Sequence, residues 1–400
     1  MSVTADQNLD DLGPIIRLQP SFDERLLRES VARLAGEFGA EYFMEKTRAR
    51  EPVTELWKKL GDNGYLGAFL PTEYGGGGQG IWSLAIVSEE LAAAGCPMFP
   101  LIYSAAIVSN VLARHGSQEQ KDTWLPKLAA GEAKIAFAIT EPDAGSNSHN
   151  LSTVARRTGD KYVINGRKTF ISGVDSADAI LVVARTGTDE KTGKGLLSLF
   201  LVDPDAPGLE RTYVPTAVNA PEGQWMLFFD GVEVDADQLI GTQDKGLRIV
   251  FEGLNPERIL GATLSTGLAR YALNKAVSYV KDRQVWGVPI ATHQAVAHPL
   301  AKAKIELDLA GLMMRKAAAL YDAGSPEAGE AANMAKYAAG EAGIHCVDAA
   351  IQVHGGNGVA LEYGLTDVWW LARFTKIGPV SAEMVLNYVS EHTLGLPKSY

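Results

Sequence analysis

The chain has 400 residues, a formal net charge of −11, and is 46% hydrophobic and 21% charged. That length accommodates two or three domains with their own cores. The acidic balance excludes a general nucleic-acid backbone partner while leaving room for a local anion pocket. Cys96 and Cys346 are the 2 cysteines, too few for a disulfide framework, and both lie in Ala-rich apolar surroundings that read as buried packing. The 7 histidines show no zinc-helix spacing, so no metal site is expected. No apolar run reaches the roughly 18 residues of a membrane span. The opening MSVTADQNLDDLG is polar and acidic, unlike a secretory signal. These features lead to the expectation of a reduced, cytoplasmic protein.

In chain order, apolar residues at three- and four-residue spacing predict helices over 21–48, 52–64, 80–95, 99–115 and 117–130. Ser21 with Glu24 three residues on has capping-box spacing. Between the second and third helices, PTEYGGGGQG (71–80) demands a tight or flexible backbone path. The pattern then changes. KIAFAIT, STVARRT, KYVING, AILVVART, SLFLVD, LERTYVP and WMLFFDGVEV are short, β-rich segments, and they predict an antiparallel sheet or small barrel. Gly159-Asp160 and Asn165-Gly166 both read as turn pairs. Helical patterns return at 244–282, 291–323, 326–354 and 379–393. The expected organisation is an α+β chain: an N-terminal α-helical domain (1–133), a middle β-domain (134–242) and a C-terminal helical bundle (243–400).

Several motifs carry chemistry. AFAITEPDAGSN (136–147) ends a strand and enters a small-residue loop where backbone N–H groups can approach a ligand. In KTFISG (168–173), Phe170 and Ser172 stand two apart on one strand and so share a face, an aromatic and a hydroxyl suited to a flat heteroaromatic ring. DRQVWGVPIATHQ supplies a cation, Arg283, at a helix end, and QVHGGNG supplies glycines after another helix. Together these can hold a pyrophosphate. HGGNG lacks the GxGxxG spacing of a nicotinamide site.

Taken in order, PTEYGGGG, AITEPDAGSN, KTFISG, GLNPER, DRQVWGVPIATHQ and QVHGGNG resemble the acyl-CoA dehydrogenase family over nearly the whole chain. The resemblance implies that family's fold, with an N-terminal α-domain, a central antiparallel β-domain and a C-terminal four-helix bundle. It implies FAD between the β-domain and the bundle, an acyl-CoA substrate, and a homotetramer in which neighbouring subunits share each FAD. Electron-transfer flavoprotein is the implied acceptor. Carried over, Phe137, Ile139, Thr140, Phe170 and Ser172 surround the flavin of their own subunit. Arg283, Val285, Gln294, Gln352, Gly355 and Gly356 reach the neighbour's FAD, and Ser146, Asn255 and Arg258 touch the acyl-CoA. Phe170 stands where many members carry Trp, and Asn147 where many carry Asp.

The implied chemistry removes an α-proton from a thioester while the β-hydrogen leaves as hydride to flavin N5. It needs a carboxylate in a dry site. Counting from Gly355 without a gap, the usual position of that glutamate is Pro379, which cannot serve. Members similar to isovaleryl-CoA and long-chain dehydrogenases carry it instead immediately before the substrate-binding arginine, which here is Glu257. Glu252 and Glu383 stand as alternatives. Pro256 within the helix suggests a kink that turns Asn255 and Glu257 toward a cavity. Two other readings stay open: a flavin oxidase or carrier-protein thioester desaturase on the same fold, and a non-catalytic acyl-CoA-binding subunit.

Overall fold

The computed structural model describes residues 20–398, so the acidic N-terminal stretch read above lies outside the described residues. The N-terminal helices are α1 (Phe22–Gly36), α2 (Gly39–Ala49), α3 (Thr54–Asp62), α4 (Ile81–Ala93), α5 (Ser109–His115) and α6 (Gln118–Ala130). The helix expected over 21–48 is two, because the chain breaks at Glu37–Phe38 and Gly39 takes φ 73°. The capping box is present: Ser21 Oγ accepts from Glu24 N–H, and Glu24 caps the Ser21 amide in return. Before α5 the chain winds through a π-helical stretch, Leu101–Val108. The glycine run folds back on residues 67–70, with Gly77 and Gly78 donating to the carbonyls of Gly67 and Leu70. A Cβ on Gly76 would lie 2.2 Å from the Leu70 oxygen, so this close approach requires glycine.

The strands are β1 (Ile135–Ala138), β2 (Val154–Thr158), β3 (Lys161–Ser172), β4 (Ala179–Thr188), β5 (Gly195–Val202), β6 (Leu209–Tyr213), β7 (Gln224–Asp235) and β8 (Leu239–Ile240). They order as β6-β7-β3-β2-β4-β5-β8, with β1 alongside β4. The sheet is mixed rather than purely antiparallel, since β1 and β2 both pair with β4 in parallel. Gly159-Asp160 does turn β2 into β3. Asn165-Gly166 does not turn; it forms a bulge inside a continuous β3. The reason is local, since Gly166 packs so closely on Thr153 that a side chain would clash, and Asn165 Oδ1 accepts from the Gly231 amide on β7. Strand alternation separates two cores. Leu181, Val183, Leu197 and Leu199 face the N-terminal helices and the start of the next helix, while Ile180, Val182, Phe200 and Val202 face the opposite side.

The C-terminal part contains α7 (Gly246–Asp282), a small hairpin β9 (Gln284–Val285) and β10 (Val288–Pro289), then α8 (Gln294–Asp322), α9 (Ala328–His354), α10 (Leu365–Phe374) and α11 (Ala382–Tyr388). The sequence did not single out α10. Helix α7 is buried on almost every side between Val250 and Ala276, which makes it the axis of the molecule. It runs on as helix through Pro256. That proline cannot donate to the Glu252 carbonyl, which instead accepts from Asn110 Nδ2 at 3.4 Å. Cys96 and Cys346 are buried free thiols, pushed up to about 12 by burial. Among the described residues, no helix is long and apolar enough to cross a membrane.

Candidate active site

Two sequence-distant segments meet where β1 and β3 end. Thr169 N–H donates to the Thr140 carbonyl at 2.9 Å, and Lys168 Nζ donates to the Ile139 carbonyl at 2.9 Å. This places Phe137, Ile139 and Thr140 beside Phe170 and Ser172. A bulge between Lys168 and Ile171 interrupts simple alternation, and Phe170 takes φ 55°, a costly conformation for an aromatic residue. Ile171 points into the core while Phe170, 58% exposed, projects outward and Ser172 is half-buried. Ser172 Oγ accepts from Gln224 Nε2 at 2.9 Å.

Beneath this junction lies a pair that the sequence reading overlooked. Lys168 and Glu141 are buried and joined at 2.8 Å. Burial pushes the Glu141 carboxyl up, but Lys168 and donors from Ser152 and Thr153 outweigh it and hold it at about 2. Burial holds Lys168 down at about 8, against the pull of Glu141. Desolvation of the lysine limits what the pair contributes, because among the described residues its ammonium has one other acceptor, the Ile139 carbonyl. Near pH 7 both groups are charged. The signal was a lysine and a glutamate flanking otherwise apolar strand ends.

The second cluster is on α7. Arg258, only 9% exposed, donates from Nη1 to Asn255 Oδ1 at 3.0 Å, while its buried Nε has no partner among the described residues. An unpartnered buried guanidinium N–H is costly unless a ligand fills it. Glu257 precedes it. This residue is recessed: half-buried by surface, yet enclosed by enough protein that desolvation pushes its carboxyl up to about 7 against the attraction of Arg258 and Lys336. Among the described residues it makes no hydrogen bond or ion pair. Neither alternative matches this. Glu252 is held by His115 Nε2 at 2.7 Å and Arg248 Nε at 3.2 Å, and despite its burial these partners keep its carboxyl below the usual range. Glu383 is exposed, capped by its own backbone amide and Ser381, with its pKa lowered. Ser146 is exposed on the loop after β1.

A third site lies at the far end of α7. Arg283, Val285, Gln352, Gly355 and Gly356 line a cavity of about 400 Å³ together with Tyr279 and His354. Gln294 begins α8 at its edge, next to Ala295 and Val296, which line it. Gly355 has φ 60° and ψ −134°, a conformation essentially reserved for glycine, with open space where a Cβ would stand. Among the described residues the Arg283 guanidinium has no hydrogen bond or ion pair. From Glu257 to Asp282 the helix advances 25 residues, about 38 Å at 1.5 Å per residue. One subunit therefore keeps its Arg283 cavity well away from its own Glu257.

Three family models match: the acyl-CoA dehydrogenase N-terminal domain over 21–132, the middle domain over 136–232 and the C-terminal domain over 244–394. The acyl-CoA dehydrogenase FadE12 of Mycobacterium tuberculosis strain H37Rv is 49% identical over 381 residues, covering 95% of this chain and 98% of the relative. The glutaryl-coenzyme A dehydrogenase–glutaryl-CoA complex superposes with a TM-score of 0.88 at 30% identity, covering 96% of this chain and 98% of the other. A glutaryl-CoA dehydrogenase from Mycobacterium smegmatis in complex with FADH2 gives a TM-score of 0.87 at 26% identity, covering 95% and 96%. The chain belongs to the acyl-CoA dehydrogenase family, a family of FAD flavoprotein oxidoreductases.

Proposed function

We propose that the chain catalyses FAD-dependent α,β-dehydrogenation of an acyl-CoA thioester, with Glu257 as the base that removes the α-proton. The observation that carries the reading is the Glu257–Arg258 pair. A recessed carboxyl with no hydrogen-bond partner and a pKa near 7 stands beside a buried guanidinium with an unfilled N–H. A base with that pKa is ionised for part of the population near neutrality and remains strong enough to take a carbon-bound proton. Arg258 and Asn255 would grip the substrate and hold its α-carbon over the Glu257 oxygen. The packing around α7 recesses that carboxyl, and the lower dielectric there strengthens its charge interactions.

The chain's residues fit FAD. Phe137, Ile139, Thr140, Phe170 and Ser172 form a face of aromatic, backbone and hydroxyl groups for the flavin ring. Arg283, the Gly355 and Gly356 amides and Gln352 form a concave anion site for the pyrophosphate, with Val285 and Gln294 at its margin. When bound, FAD supplies the two-electron acceptor. The separation of about 38 Å along α7 supports an oligomer in which each FAD is held by two subunits, and the family resemblance makes that oligomer a homotetramer. Electron-transfer flavoprotein is the proposed physiological acceptor, and the free buried thiols fit a reducing, cytoplasmic setting.

Anaerobic titration of the FAD-saturated protein with straight, branched, cyclic and aryl-bearing acyl-CoAs tests the reaction through the visible flavin band. Bleaching by one subset supports dehydrogenation and identifies the acyl class. A protein that binds no flavin would leave only the acyl-CoA-binding reading, and steady peroxide release in air would favour the oxidase reading.

A further inference from the structure

A buried lysine beside the candidate base has no part in the scheme above. Lys336 on α9 is 2% exposed, and its ammonium donates to the carbonyl of Val380. Helices α7 and α9 run side by side in the same direction, with Gly329 near the Asn255 side chain and Gly343 against Ser265. Lys336, midway between those two glycines, therefore comes level with about residue 260, one turn from Glu257 along the axis. The segment 375–380 spans both helices at this height. Pro379 lies 3.2 Å from where a Gly261 side chain would begin, Thr375 Oγ1 accepts from Ser265 Oγ at 2.6 Å, and Lys376 pairs with Glu341 at 2.7 Å. Lys336 thus clamps the backbone next to Pro379 and brings a positive charge within interaction range of Glu257.

We propose that Lys336 is a positioning residue for proton abstraction: its ammonium pins the Val380 carbonyl across α7 and α9, and its charge sets the pH at which Glu257 becomes an active base. The inference rests on the reading of Glu257 as that base. The charged groups acting on the carboxyl are Arg258 on its own helix and Lys336 on α9; Glu383 on α11 and Glu341 on α9 act in turn on Lys336, and Tyr388 of α11 acts on Arg258. Arg258 serves the substrate, and Glu341 is taken by Lys376, so Lys336 is the cation left to tune the base. Burial lowers the ammonium to about 8, against the pull of Glu257 and Glu383. It is therefore mostly charged at pH 7, where Glu257 is half ionised, and loses its charge from about pH 8 upward.

The test compares Lys336→Gln, which keeps a donor but loses the charge, with Lys336→Arg, which keeps the charge. Infrared titration of the FAD-bound protein reads Glu257 directly, as the protonated-carboxyl band that Glu257→Gln removes. Removing a nearby opposite charge raises a carboxyl pKa, by about one pH unit for a partner at this reach. The Glu257 midpoint should therefore rise from near 7 in Lys336→Gln and stay in place in Lys336→Arg. Flavin reduction by the acyl-CoA that bleaches the wild type should fall about fivefold at pH 7 in Lys336→Gln and recover by pH 9. Lys336→Met, with neither donor nor charge, repeats the comparison should the glutamine variant not fold. An unmoved midpoint, or a loss equal at every pH, overturns the inference. Full flavin reduction by Glu257→Gln would instead overturn the base assignment, so the two failures are distinguishable.

Discussion

The Lys168–Glu141 pair makes the sharpest structural prediction. Lys168→Met removes two hydrogen bonds, to the Ile139 carbonyl and to Glu141 Oε1. It leaves Glu141 with Ser152 N–H at 2.6 Å, Ser152 Oγ at 2.7 Å and Thr153 N–H at 3.0 Å. The carboxylate stays solvated by donors, so the cost sits at the low end of a broken buried pair, about 3 kcal/mol. Glu141→Leu is worse. It strands a fully buried ammonium and leaves the Ser152 and Thr153 amides without partners, about 5 kcal/mol. Lys168→Met with Glu141→Leu removes the stranded charge and should cost about 4 kcal/mol, well under the sum of the single losses. Native-state hydrogen exchange at residues 139–141 and 168–172 reads these local opening energies without treating a multidomain chain as two-state. FAD retention should fall in the same order, because the pair holds both flavin-facing segments. Additive losses, with the double variant costing as much as both singles together, would refute the reasoning.

Other predictions follow from the charges at the remaining sites. Because burial raises the Glu257 carboxyl to about 7, its ionised form grows as pH rises, and flavin reduction should climb about tenfold from pH 6 to pH 8. An ordinary carboxyl would give a flat rate over that range in stopped-flow measurements. Arg283→Ala should leave the fold intact, since the side chain is exposed, and weaken FAD binding by about 10- to 100-fold in equilibrium dialysis, as expected for a lost charge-assisted hydrogen bond. At FAD concentrations too low to load Arg283→Ala, mixed oligomers of Arg283→Ala and Glu257→Gln chains should regain activity absent from either alone. One kind of mixed site then joins an intact Glu257 to a neighbour's intact Arg283, and no recovery would count against the shared site.

Much of the architecture was legible because long periodic segments specify helices, and α7, α8 and α9 stand close to their expected limits. The details that failed depend on contacts remote in sequence. Asn165-Gly166 has the composition of a turn, yet Thr153 and Gly231, brought alongside by other strands, make it a bulge. The parallel pairing of β1 with β4 has no local signature. Helix α10, with Trp369 and Trp370 together, lacks the alternation that would have marked it. At the site, the assignment of Glu257 came from the family resemblance, through its neighbour Arg258 and the proline at 379, and it stands as a proposal. Lys168, Glu141 and Lys336 were not legible, because a buried lysine looks like any other until the fold surrounds it.

The central claim is that Glu257 takes the proton, and the direct measurement is anaerobic flavin reduction by Glu257→Gln with the acyl-CoA that bleaches the wild type. The account predicts that the variant keeps its FAD and binds the thioester, yet shows no bleaching on the wild-type timescale. Bleaching at the wild-type rate would contradict it and return the search for the base to the rest of the cavity.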